Sequence, residues 1–166
     1  MLALSGHARV RGMNTRPASS RTISRSPLIW PLVTLPVAAL ATPLSFVLWR
    51  TPPGAATPPN SVIPLMLPVE VVIPAVAFGL GTAFLLVGRP LVRRNDAPRL
   101  SRAAHAGIAW LLLNWWPHSN FHRVAQGWTS LLAVDYVFHI TVIASTVVVA
   151  AYFLVAVRGP QQAPAR

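Results

Sequence analysis

Cysteine and lysine are both absent from this chain of 166 residues, and acids nearly so, with only Glu70, Asp96 and Asp135. Without cysteine there is no disulfide, thiolate metal site, cysteine nucleophile or thiol-attached haem. The redox character of the compartment therefore cannot be read. Charged residues are 10% of the sequence and hydrophobic residues 54%, where soluble domains carry about 25% charged residues. A soluble protein of this length, sufficient for one domain, could not cover its surface with so few charges. Lipid is the solvent that tolerates this composition.

All fourteen basic residues are arginine, and the net charge is +11. In a soluble protein that excess would point to nucleic acid. Here the arginines lie between long apolar stretches and form no continuous basic face, so nucleic acid is excluded as a partner. The basicity reads as a topology signal instead. There is no nucleotide-binding motif, no HExxH and no internal repeat, and the sequence resembles no characterised family.

Four apolar segments are expected as Pro-kinked transmembrane helices, at about 28–49, 65–88, 103–121 and 128–157. The fold class is an all-α integral membrane bundle. The first apolar run, Pro27 to Trp49, has 23 residues, which as a helix spans about 34 Å, enough to cross a hydrocarbon core. Its Pro31, Pro36 and Pro43 would break a soluble helix but are tolerated in membranes. A competing reading is a cleaved signal peptide ending at Ala39-Leu40-Ala41; the apolar run continues well past that site, which favours an uncleaved anchor. The Pro-rich connection Arg50 to Pro64 cannot be helical throughout. Gly79 and Gly81 offer close helix approach in the second segment, and Trp115 and Trp116 place an aromatic belt near the end of the third. The fourth is longer than needed and should tilt.

Residues 1–27 read as a disordered, Arg-rich cytoplasmic tail, with Met13 as an alternative start and a composition that also resembles a transit peptide. Residues 158–166 read as a second cytoplasmic tail. Twelve of the fourteen arginines fall in the two tails and the 89–102 loop, leaving only Arg50 and Arg123 on the other side. That split places both termini in the cytoplasm. A multi-pass protein of a bacterial inner membrane is expected, the bacterial part by association with the Ala-, Pro- and Arg-rich composition alone.

Asp96, in the basic loop, is expected to pair with Arg93 or Arg99. Most other ionisable side chains collect near the outer face. Glu70 lies near the start of the second segment, His118 and His122 at the outer end of the third, and Asp135 and His139 in the outer half of the fourth. His118/His122 and Asp135/His139 are each spaced i,i+4 and so share a helix face. Asn114 extends the first stripe and Thr146 the second as supporting polar residues. Two imidazoles one turn apart can reach one divalent cation, such as zinc or iron, and a carboxylate from a neighbouring helix can complete the site. The plain alternative is interfacial histidines meeting water, with Asp135 bonded to His139. Ionisable groups in a membrane segment cost roughly 2.5–3.5 kcal/mol at its centre and mark function by default. His105 lies about 20 Å along its helix from His118, a poor placement for a bis-histidine haem, and a capping role is expected.

Three functions fit: an accessory or partner subunit of other membrane proteins or of a homo-oligomer, a metal-dependent membrane enzyme, and a proton- or ion-coupled permease subunit. Whether the chain is an enzyme is not legible, and no catalytic residue can be named.

Overall fold

A computed structural model describes residues 27–50, 63–125 and 131–158. The two tails and the Pro-rich connection fall almost wholly outside these residues. The described part is helical throughout, with no strand. Helix α1 is Ile29–Val47 and runs through Pro36 and Pro43. The second segment, α2, starts with a turn at Ile63–Leu67, widens to a π-helical turn at Pro68–Val72 and continues as Ile73–Val87. Helix α3 is Pro98–Val124 and α4 is Leu132–Arg158.

Proline chemistry explains these details. Pro98 occupies the first turn of α3, where a missing N–H costs nothing. Pro117 is carried inside α3 and does not begin a fresh helix. In α2, Pro74 has no N–H for the carbonyl of Glu70, four residues back. The preceding turn is widened, and the Ile73 N–H reaches the carbonyl of Pro68, five residues back.

The helices alternate in direction and pack in chain order, α1 on α2, α2 on α3 and α3 on α4. Small residues allow each approach. A Cβ at Gly79 would strike the Thr34 carbonyl oxygen of α1, and one at Gly81 would stand 2.9 Å from the Leu113 nitrogen of α3. On the next interface, a Cβ at Gly107 would meet Val149 Cγ2 at 3.2 Å and the Ser145 carbonyl at 3.3 Å. Two separate apolar clusters result. At the arginine-rich end, Phe84, Ala104, Ala109 and Tyr152 pack with Trp30, so all four helices contribute. Toward the histidine-bearing end, Ala41, Ala75 and Trp116 pack with Phe78, and α4 contributes nothing.

Between α2 and α3 the chain makes a tight turn at Arg89–Val92. Ser101 Oγ accepts from the Arg94 N–H at 3.1 Å and donates to the Val92 carbonyl. Asp96 pairs with Arg94, at 2.7 Å, and not with Arg93 or Arg99 as expected. Arg94 is reached within the turn and offers Asp96 two parallel bonds. They hold the Asp96 carboxyl below its ordinary range, so the contact persists at neutral pH and is lost only as acid titrates it.

Three helical stretches are long and apolar enough to cross a membrane: Ile29–Val47, Pro64–Val87 and Leu132–Arg158. Helix α3, with 27 residues, is long enough but too polar to qualify by composition. It packs between α2 and α4. Helix α4 is apolar over most of its surface apart from the Asp135/His139 stripe, and Tyr152 is its one buried residue. Such a helix is stable in lipid, not in water.

Candidate metal centre

The i,i+4 stripes of α3 and α4 meet across their interface. One donor atom from each of His118, His122, Asp135 and His139 lies within 4.8 Å of the other three. Asp135 Oδ1 stands 3.2 Å from His122 Nε2, 3.4 Å from His139 Nδ1 and 4.0 Å from His118 Nε2. His118 Nε2 and His122 Nε2 are 2.8 Å apart. His139 Nδ1–H donates to the Asp135 backbone carbonyl at 2.8 Å, which leaves the Nε2 lone pair free.

Asp135 Oδ1 is the least satisfied atom of the group. It is fully shielded yet accepts no hydrogen bond, although three imidazoles surround it. A buried acceptor left unpaired costs about 1–3 kcal/mol, and more when charged. A cation shared with the imidazole nitrogens would satisfy it. Four ligands at tetrahedral zinc, with bonds of about 2.0–2.1 Å, lie about 3.3 Å from each other. The separations of 2.8, 3.2 and 4.0 Å among His118 Nε2, His122 Nε2 and Asp135 Oδ1 straddle that value.

Phe121 and Phe138 floor the cluster. Phe138 lies 5.4 Å from the His118 ring, Phe121 lies 5.8 Å from His122, and the two phenyl rings are 5.8 Å apart. On the other side His122 and His139 are about half exposed, whereas His118 and Asp135 are 23% exposed. The site is closed by aromatic rings below and open above.

Glu70, expected as a further ligand, is not in the group. Helix α2 packs on a different face of α3 from the one that meets α4, and Glu70 meets Ser119, one position round the helix from His118. Ser119 Oγ donates to the Glu70 carbonyl at 3.0 Å, the very oxygen that Pro74 leaves without a donor. Of the two supporting residues expected, Asn114 is buried with an Oδ1 that accepts no hydrogen bond. Thr146 is exposed and bonds the Val142 carbonyl of its own helix; it supports nothing at the site. His105 caps α2, donating from Nε2 to the Phe84 carbonyl at 3.0 Å.

A second polar cluster lies on the α1 side of α3, and the sequence reading missed it. Trp116 Nε1 and Asn120 Nδ2 donate to the fully buried Ser45 Oγ at 2.8 and 3.2 Å. Arg123 Nη2 donates to the carbonyls of Ser45 and Trp49 at 2.6 and 3.0 Å, and its guanidinium lies over the Phe46 ring. Arg123 therefore caps the C-terminal end of α1, where carbonyls lack helical partners and a cation is favoured. Arg123 lies just beyond the apolar run that ends near Phe121, yet its spacing from Trp116 and Asn120 marks one helical stripe.

Comparison with family models, curated proteins and solved structures gives no match. The functional reading therefore rests on the residues themselves.

Proposed function

We propose that this chain is a four-span membrane protein with both termini in the cytoplasm, and that it binds one divalent cation, zinc or iron(II), near the outer surface. The ligands are His118, His122, His139 and Asp135. The observation that carries the cation reading is the shielded, unbonded Asp135 Oδ1 among three imidazoles. Imidazole and carboxylate donors suit both metals.

The placement of α3 between α2 and α4 supports the fourth span. Its polar side chains face α1, α2 and α4, so they meet protein where an isolated helix would meet lipid. Arg89, Arg93, Arg94, Arg99, Arg102 and Arg158 collect at one end of the described bundle, with Arg50 and Arg123 at the other. Single cysteines can be placed in this naturally cysteine-free chain for labelling in intact cells. A cysteine at Arg94 should resist a membrane-impermeant maleimide until the membrane is opened, and one at Trp49 should react at once. Equal reactivity of both would overturn the topology.

The biological role that fits best is an accessory component of a membrane assembly, because the described residues are almost all helical and carry no further folded domain. A metal-dependent enzyme is the second reading, favoured by the half-exposed His122 and His139, which leave room for a water or substrate ligand. Elemental analysis of the purified protein tests the cation reading common to both. One equivalent of zinc or iron per chain is expected, and none in the double variant His118→Ala/His122→Ala. Equal metal content in the two proteins would refute the assignment.

A further inference from the structure

Helix α4 is held differently at its two ends. At the arginine-rich end Tyr152 enters the apolar cluster shared by all four helices. At mid-length Gly107 lets α3 approach the backbone at Ser145. Toward the histidine-bearing end the apolar cluster is built from α1, α2 and α3 alone. There α4 meets α3 through the rings of Phe121 and Phe138 and through the His/Asp group. Among the described residues, the polar side-chain contacts between α3 and α4 run through that group.

Those polar contacts do not hold well unaided. Asp135 Oδ1 accepts no hydrogen bond, and His118 and His122 direct nitrogens at each other from the same helix. A cation changes this, because it draws ligands from both helices to one point. We infer that the His118/His122/Asp135/His139 site is a cation-operated clasp that closes the outer end of α4 onto α3. Without the cation that end swings about the Tyr152 and Gly107 contacts. The inference rests on the cation reading above and adds a mechanical consequence to it. Binding and closure are linked: whatever holds the helices together tightens the site, and the site in turn selects the closed arrangement.

Spin labels test this in the full chain reconstituted in nanodiscs, using zinc ions and a chelator. One pair of cysteines, at Leu67 and Tyr136, spans α3 at the histidine-bearing end, where both native residues are exposed. A control pair at Leu85 and Val157, also exposed, reports on the other end. Zinc should shift the first pair to shorter, more narrowly distributed distances and chelation should reverse the shift, while the control pair stays unchanged. In a His118→Ala/His122→Ala background the first pair should remain broad with or without zinc. Zinc bound in the same sample with no change at the first pair would overturn the clasp and leave the cation site standing. No zinc bound at all would overturn both.

Discussion

Asp135→Asn is expected to remove the thermal stabilisation that a divalent cation confers, without weakening the cation-free protein. The amide has nearly the shape of the carboxylate, so the packing around the position is retained. In the absence of metal the substitution replaces a shielded carboxylate oxygen that accepts no hydrogen bond with a neutral group. Replacing a shielded acceptor that has no donor removes a desolvation cost without breaking a hydrogen bond. With metal the balance reverses. A ligand at about 100 times its dissociation constant stabilises the folded state by about 2.7 kcal/mol, and the variant loses an anionic ligand from a four-donor set. Its affinity should fall by more than the roughly 10–100-fold that removal of an outer-shell partner costs. Melting curves of both proteins in detergent, with zinc and with chelator, measure this. The cation effect should also fade as pH falls, because histidine and aspartate ligands must lose their protons to bind. An equal zinc-induced shift in wild type and variant would remove Asp135 from the site.

Gly79→Ala should be the most damaging single methyl addition in the described bundle after those that clash within their own turn. The new Cβ would strike the Thr34 carbonyl oxygen and stand 3.2 Å from the Ala38 nitrogen. Both are backbone atoms of α1, so the clash is relieved only if the helices separate. Overpacking of this kind costs about 1–3 kcal/mol, which exceeds the roughly 0.8–1.0 kcal/mol by which alanine favours a helix over glycine. Gly107→Ala provides the contrast. Its Cβ would meet a Val149 methyl at 3.2 Å and the Ser145 carbonyl at 3.3 Å, contacts that a few tenths of an ångström relieve, and propensity offsets the strain. Unfolding in detergent should show a clear loss for Gly79→Ala and little change for Gly107→Ala. If both variants behave alike, the α1–α2 contact is looser than described.

Much of the helical architecture was legible from solvent preference. Long oily runs cannot be strands or loops in lipid, because each backbone group must find its partner within the segment. The observed helices at Ile29–Val47, Ile73–Val87 and Leu132–Arg158 accordingly fall within or close to the apolar segments. Helix α3 was harder. Its apolar run suggested 103–121, yet the helix extends from Pro98 to Val124, opened by Pro98 in its first turn and carried at the far end to Arg123, which bonds α1. The i,i+4 stripes of His118/His122 and Asp135/His139 were equally legible, since spacing alone puts such residues on one face. Spacing does not say which helix each face meets.

Hydrophobicity and periodicity, which are local properties, determined by themselves that this chain is helical, that it suits lipid, and that its histidines and aspartate form stripes. Only the tertiary structure decided which stripes converge. It brought α4 and not α2 to the His118 face, set Glu70 against the neighbouring face of α3, and used Arg123 and Asn120 to fasten α1. The physical reason is rotational: one residue along a helix turns a side chain by about 100°, and the partner it then meets depends on the packing of distant segments.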